Sequence, residues 1–249
     1  MARCHSPCSV YSRHASRASI LQGLKETLRG VLPMPIQALL KFVEPYLDQD
    51  FRPPVFDATI AATVLAAAGR SHDAHTAMLQ WRNGFYAFNG LLHVLGACGT
   101  PPNHSLLAWN DMNTGWRKSW GPVTEGCTFF AQTAFGDQFG YRGGKVVRLR
   151  ALEGRVDAAE ASFEEWLQTA FLDPDFALDK RLFDACVRAH GPLPHGGHFA
   201  PAMPYNPNLP LDPATMQIVP TRDSMETKAE LVRSGLGRRR SSMSFRAGG

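Results

Sequence analysis

Four side chains of the kinds that bind zinc lie within thirteen positions of one another: Cys186, His190, His195 and His198. Cys186 and His190 are four residues apart and share a face if their segment is helical. His195 and His198 follow on the next loop. Thiols and imidazoles are zinc ligands, but this spacing matches no standard zinc site. The alternative is a buried thiol, a histidine at a helix end and two loop histidines, and we predict no metal or other cofactor.

Two further groups of residues are candidates for binding or catalysis. Trp109, Trp116 and Trp120 are close in the sequence, and such side chains either anchor a partner or pack in a core. We expect at least two of them to be core residues. Asp137 lies next to Gln138, but one carboxylate without a matched acid, histidine or metal is a weak indication of catalysis. We expect it to serve the turn at a hairpin instead.

The sequence contains none of the common catalytic or nucleotide-binding motifs. G-x-S-x-G, H-E-x-x-H, the P-loop and G-x-G-x-x-G are all absent. Their absence lowers the expectation of catalysis, and we predict that the protein is not an enzyme.

The elements that must position these residues are a small antiparallel sheet and the helix that follows it. Residues 127–132, 137–142 and 145–150 are apolar or alternating runs of strand length. Gly143 and Gly144 separate the last two runs. They suit a type I′ turn, in which both central residues have positive φ.

An amphipathic helix is predicted after this sheet. Ser162 and Glu165 have the spacing of a capping box at its start. Its apolar positions recur at helical spacing and form one stripe, predicted to face the sheet: Phe163, Trp166, Leu167, Ala170 and Phe171.

Further elements are predicted on both sides of this region. Helices are expected at 57–68, 105–109, 114–120, 173–190 and 221–232, and strands at 85–88, 91–95, 155–156 and 216–219. The sequence therefore predicts an α+β fold, in which helices pack against an antiparallel or mixed sheet of about five to six strands.

The net charge of +4 is distributed unevenly along the chain. Residues 1–24 carry three arginines and residues 235–249 carry four, and neither segment has an acid. Without these seven positive charges, residues 25–234 have a net charge of −3. The composition therefore gives no reason to expect that the folded body binds nucleic acid.

Three domain-level predictions follow from composition. Residues 1–33 are expected to be a disordered or mis-annotated N-terminal extension, although the acid-free start also resembles a transit peptide. Residues 34–234 are expected to form a single domain, and residues 235–249 a disordered basic tail. No apolar run has the length of a membrane helix. The five cysteines lack a disulfide framework, which predicts reduced thiols in the cytoplasm.

Several short blocks between about residues 80 and 200 point to a known family. They include Phe129-Phe130-Ala131, Phe135-Gly136-Asp137-Gln138-Phe139, Lys145-Val146-Val147-Arg148 and Ser162-Phe163-Glu164-Glu165-Trp166, with flanking matches at 82–88 and 190–194. In this order and spacing the blocks resemble the SMI1/KNR4 family, also called the SUKH superfamily. The resemblance implies a SUKH-like α+β fold over residues 34–234.

The resemblance also implies a function. Many bacterial members of this family are immunity proteins, which bind a cognate polymorphic toxin, often a nuclease or a deaminase, and cover its active site without turnover. The weakly acidic body suits a basic partner of that kind. Eukaryotic members act as regulatory interaction scaffolds, and this is the alternative. A metal-dependent enzyme built on the histidine group of residues 186–198 is a third reading.

The predicted partner-binding residues are side chains expected to be exposed near the hairpin: Gln138, Tyr141, Arg142 and Arg148. In a two-residue hairpin Tyr141 lies opposite Val146, and Phe139 lies opposite Arg148. A charged side chain would then stand among apolar ones, as it does in many interfaces. The alternative is that the Pro-rich segment 191–220 covers this face.

Overall fold

A computed structural model describes residues 34–202, 206 and 209–235, which belong to a compact unit that begins at Met34. The predictions for residues 1–33 and for the basic tail after Gly235 lie outside the described residues. Within the described residues, no helix is both long enough and apolar enough to cross a membrane.

The main sheet has six strands in an antiparallel meander. They are β1 (Phe85–Ala87), β2 (Leu92–Val94), β3 (Thr128–Thr133), β4 (Gln138–Arg142), β5 (Lys145–Arg150) and β6 (Arg155–Ala158), and each strand pairs with the next. The predicted α+β fold with a sheet of five to six strands is confirmed. Short turns explain four of the five pairings, because a tight turn returns the chain beside the strand it has left, whereas the segment between β2 and β3 carries two helices.

The predicted hairpin between β4 and β5 is confirmed. Gly143 has φ 59° and Gly144 has φ 73°, as a type I′ turn requires. Arg142 pairs with Lys145, so the loop contains the two glycines alone. This register places Tyr141 opposite Val146 and Phe139 opposite Arg148.

Helices cover the two faces of the sheet. They are α1 (Ile36–Val43), α2 (Ala58–Leu65), α3 (His72–Trp81), α4 (Leu106–Trp109), α5 (Trp116–Trp120), α6 (Phe163–Leu172), α7 (Pro174–Leu178), α8 (Lys180–His190) and α9 (Thr221–Arg233). A second sheet of two strands, β7 (Gly197–Pro201) and β8 (Met216–Pro220), lies between the last helices. Residues 216–219, predicted as an edge strand, thus pair with β7 and not with the main sheet.

Helix α6 packs on one face of the main sheet, as its apolar stripe predicts. The Ser162 hydroxyl accepts from the Glu165 amide at 3.3 Å, which caps the first turn. The whole predicted stripe is buried. The Trp166 ring lies 4.8 Å from Phe130 and 5.3 Å from Phe139, centroid to centroid, so the indole joins the helix to β3 and β4.

The opposite face is covered by α4, α5 and α9. Trp109, Trp116 and Trp120 are all buried there, in agreement with their predicted core role. Their indole N–H groups have internal acceptors, and Trp120 donates to the Met225 carbonyl on α9 at 2.9 Å. Helices cover this second face, and β7 and β8 lie beside them. Neither broad face of the sheet is therefore open.

The predicted helix 173–190 is interrupted at Asp179. This residue has φ 60° and separates α7 from α8. Arg148 donates to the Ala177 carbonyl at 2.9 Å and to the Asp179 carboxylate at 3.4 Å. The arginine thus satisfies groups at the end of α7 and supports the break, a contact that helical periodicity alone does not reveal.

Candidate functional site

The predicted partner-binding residues lie inside the protein. Gln138, Tyr141 and Arg148 are buried, and Arg142 is half-buried. The expectation that they are exposed is wrong because helices cover both faces of the sheet, so strand alternation leaves no free face. The covering element on the Tyr141 side is helical and is not the Pro-rich segment 191–220.

Arg148 has a structural role among charged and aromatic neighbours. Its Nε donates to the Asp137 carboxylate at 2.8 Å, and its guanidinium lies 5.4 Å from the centre of the Phe139 ring. The other Asp137 oxygen accepts from the Ala151 amide at 2.8 Å. Asp137 therefore holds the strand end and the turn after β5, in agreement with the expected turn role.

Tyr141 and Arg142 also make internal contacts. The Tyr141 hydroxyl lies 2.8 Å from His75 Nδ1, and the His75 ring is stacked on Phe163 at 4.3 Å. Burial lowers the pKa of His75 to about 3, so this imidazole is neutral at pH 7. Arg142 donates to the carbonyls of Val123 and Glu125, which ties the hairpin to the segment before β3.

Gln138 belongs to a row of polar side chains that crosses the sheet. Tyr86 pairs with His93, His93 with Gln132, and Gln132 with Gln138, so β1 to β4 each place one polar residue on the same face. All four are buried. This row was not predicted from the sequence, although Tyr86 and His93 are each the single polar residue of an otherwise apolar strand.

His93 and Gln132 of this row are hydrogen-bonded in one network with His104, which lies just before α4, and all donors in this network point towards Asn83. His104 Nε2 lies 3.1 Å from the Asn83 carbonyl, which only accepts, so this nitrogen carries the proton. Burial lowers the pKa of His104 to about 4, so the ring is neutral and its Nδ1 is an acceptor. His93 Nε2, 2.7 Å away, must donate to it. Burial also lowers the pKa of His93, so its Nδ1 accepts from Gln132 Nε2 at 2.9 Å.

The same direction continues to a histidine on β7. The Gln132 carbonyl oxygen accepts from His198 Nε2 at 3.1 Å and from Gln138 Nε2 at 3.3 Å. Burial lowers the pKa of His198, so the ring is neutral and its Nδ1 has a lone pair. This atom is buried and has no hydrogen-bond partner among the described residues. The network therefore ends in an unpaired acceptor.

A buried lysine lies beside that acceptor. A Cβ added to Gly136 would stand 2.7 Å from Lys228 Nζ and 3.3 Å from His198 Nδ1, so both nitrogen atoms border the same point. Lys228 is 2% exposed, and its ammonium lies 2.5 Å from the Ser224 hydroxyl one turn earlier on α9. The hydrogen-bond network thus runs from Asn83 to His198, and Lys228 lies next to its last nitrogen atom.

The four candidate zinc ligands do not converge. His190 Nε2 lies 2.6 Å from the Pro213 carbonyl, His195 Nε2 lies 3.5 Å from the Asp48 carboxylate, and His198 joins Gln132. Cys186 is buried in the core. In the part of the chain that the structure describes, no three histidine, cysteine or acidic side chains are grouped as metal ligands.

Exposed apolar side chains gather near the start of β1. Val55 is 89% exposed, Leu107 49% and Trp81 38%. The Asn83 amide donates to the Pro54 and Val55 carbonyls, and its oxygen accepts from the Ala97 amide. The Leu106 amide donates to the Gly96 carbonyl at 2.8 Å. These bonds join the backbones of the Val55 and Leu107 segments near the start of β1, and Trp81 ends α3 two residues before Asn83. We call the three exposed residues the apolar end surface.

Comparison with known proteins informs the fold. No protein-family model and no curated protein matches this chain. Among solved structures, the chain is similar to the crystal structure of Atu4351 from Agrobacterium tumefaciens, with a TM-score of 0.50 and 11% sequence identity. The similarity covers 76% of this chain and 86% of that one. At this identity it shows a shared fold alone, and membership of the SMI1/KNR4 family stays a prediction.

Proposed function

We propose that this protein is a non-catalytic binding domain that neutralises a cognate toxin protein by covering its active site. The resemblance of residues 80–200 to SMI1/KNR4 immunity proteins motivates the proposal. The apolar end surface is the observation that carries it within the structure. Val55 is 89% exposed on a loop that also contains Pro53 and Pro54.

The chemistry around the apolar end surface suits protein recognition. Protein interfaces place an apolar centre inside a polar rim, and a few large side chains supply most of the binding free energy. Trp81 is a large aromatic side chain of this kind, and the exposed Arg52 and Asp57 flank Val55 in the sequence. Asn83 holds the Val55 loop through two backbone carbonyls, so the surface is ordered before a partner arrives.

Charge and redox state support the proposed setting. The net charge of −3 for residues 25–234 favours association with a basic toxin such as a nuclease. Cys98, Cys127 and Cys186 are buried free thiols, as expected for a protein that works in the reducing cytoplasm. We propose that the neutralisation takes place inside the producing cell.

The test is co-expression with the product of the neighbouring toxin gene, at several ratios of the two proteins. Neutralisation by covering predicts that rescue rises with the dose of this protein and is complete near equal amounts. Val55→Asp and Leu107→Asp should abolish rescue, because a carboxylate at the centre of an apolar contact must be desolvated. Leu172→Asp, at a residue 46% exposed on α6, is the matched control and should rescue fully.

Two results would contradict this proposal. Rescue by amounts far below those of the toxin would show turnover and favour an enzyme. The lack of any toxic neighbour would favour a regulatory interaction scaffold.

A further inference from the structure

A buried lysine, Lys228, lines a cleft between α9 and the β7–β8 hairpin. Ala200 and Val219 line its hairpin side, and Ser224, Lys228 and Leu231 line its helix side. The cavity volume is about 60 Å³. One water molecule needs roughly 10–15 Å³ of cavity volume. The cleft therefore has room for a ligand of only a few non-hydrogen atoms.

Lys228 has more hydrogen-bond donors than partners. Its ammonium has three N–H groups, and the Ser224 hydroxyl is its one hydrogen-bond partner among the described residues. No ion pair of Lys228 occurs in the described part of the chain. The nearby Asp137 carboxylate is bonded to Arg148 and to the Ala151 amide. Burying an ammonium without an ion-pair partner is costly, so this position favours an anion.

Ser224 adds a donor at the same place. Its oxygen accepts from the Lys228 ammonium at 2.5 Å, which leaves the hydroxyl hydrogen available to donate to a ligand. The two side chains are four residues apart on α9 and therefore share a face. Together they form a pair of converging donors of the kind that binds a carboxylate.

The other residues that line the cleft favour one kind of anion over another through their charge and their apolar surface. Asp223 also lines the cleft, and its negative charge disfavours a doubly charged phosphate. Ala200, Val219 and Leu231 supply apolar walls that match a short hydrocarbon chain. A small monocarboxylic acid combines one negative charge with such a chain.

We propose that Lys228 and Ser224 bind the carboxylate of a small monocarboxylic acid whose hydrocarbon part lies between Ala200, Val219 and Leu231. The hydrogen-bond network of Gln132 ends at His198 Nδ1, which lies near the same ammonium. The proposal is independent of toxin binding, because the apolar end surface shares no residue with the cleft.

The protonation state of the lysine agrees with this site. Burial lowers the pKa of Lys228 to about 8, and the Asp137 carboxylate opposes this shift. His198 contacts the same region and is neutral, because burial lowers its pKa. Asp223, Ser224 and Thr227 are the other polar residues that line the cleft from α9, with Gln217 from β8. Carboxylate binding should therefore weaken as the pH rises through about 8.

The test is calorimetric and NMR titration of the full chain at pH 7 with propionate. Propionamide, which has the same shape without the charge, and inorganic phosphate are the comparison ligands. We expect one propionate per chain, at least tenfold weaker binding of the two comparison ligands, and amide shifts confined to β7, β8 and α9.

Variants locate the site. Lys228→Met keeps the length of the side chain and removes the charge, and it should weaken propionate binding at least tenfold. Ala200→Leu leaves Lys228 intact and fills the cleft, so it should have the same effect even if the lysine variant fails to fold. Lys41→Met, at an exposed residue of α1, should bind as the unaltered protein does. Equal binding by Ala200→Leu, tighter binding of phosphate, or no binding of propionate would overturn the proposal.

Discussion

Gln132 joins two histidines and one glutamine of the buried polar network. Its amide donates to His93, and its carbonyl accepts from both His198 and Gln138. Such a network stabilises a fold when every member has a partner, and each buried group left without one costs about 1–3 kcal/mol. The side chain has 1% exposure, so water does not replace a lost partner.

We therefore expect Gln132→Leu to lower the free energy of unfolding by about 3 kcal/mol, since one buried ring nitrogen on His93 and one on His198 lose their only hydrogen-bond partner while the volume is nearly kept. Urea unfolding measures this change. Gln37→Leu, at an exposed position of α1, is the control and should stay within about 0.5 kcal/mol of the unaltered protein. Equal effects of the two substitutions would show that the network does not contribute to stability.

His75 predicts a pH dependence of stability. Its pKa, which is 6.5 in the absence of the fold, is lowered by burial to about 3. Between these two pH values only the unfolded chain binds the proton. The free energy of unfolding therefore falls as the pH decreases from 6.5 towards 3, by about 1.4 kcal/mol per pH unit for this group. His75→Phe should reduce that slope by about this amount in urea titrations from pH 6 to pH 4. An unchanged slope would contradict a neutral buried His75.

At the scale of elements, local chemistry made the β4–β5 hairpin predictable. Two adjacent glycines between strand-like runs specify a turn through their own backbone freedom, and Gly143 and Gly144 both have positive φ. The break at Asp179 was not predictable in this way. It is supported by Arg148, thirty-one positions earlier, through a contact that exists only after the sheet and the helices have packed.

Gly143 offers a clean test of the turn. A Cβ at this position would meet no heavy atom within 4 Å, so the cost of a substitution comes from its φ of 59° alone. Gly143→Val should lower the free energy of unfolding by about 1–3 kcal/mol. Gly99→Ala, where the added Cβ is equally free and φ is not in the left-handed region, should be nearly neutral. Thermal or urea unfolding distinguishes the two.

At the scale of the whole molecule, helices cover both faces of the sheet. The candidate interface is therefore the apolar end surface and not the residues near the hairpin. Strand alternation predicted a mixed face near the hairpin, and the order of strands and helices was largely predictable from periodicity and caps. Which helices cover which face depends on tertiary packing, for example of Trp109 on Gln138 at 2.9 Å. The buried His93, His104 and His198 come together across more than one hundred positions, which no local pattern indicates.

The apolar end surface is the exposed surface on which the proposed partner contact rests. Val55, Trp81 and Leu107 come from three segments of the chain, and hydrogen bonds of Asn83, Gly96 and Ala97 join the backbones of the Val55 and Leu107 segments. A partner that covers this end would bury apolar side chains whose backbone is already fixed, so little ordering free energy would oppose binding.

Calorimetric titration of the purified neighbouring toxin with this protein tests the central claim most directly. Toxin neutralisation through the apolar end surface predicts a one-to-one complex, at least hundredfold weaker binding by Val55→Asp and Leu107→Asp, and unchanged binding by Leu172→Asp. Equal binding by all four proteins would place the partner on another surface, and the absence of a complex would contradict neutralisation itself.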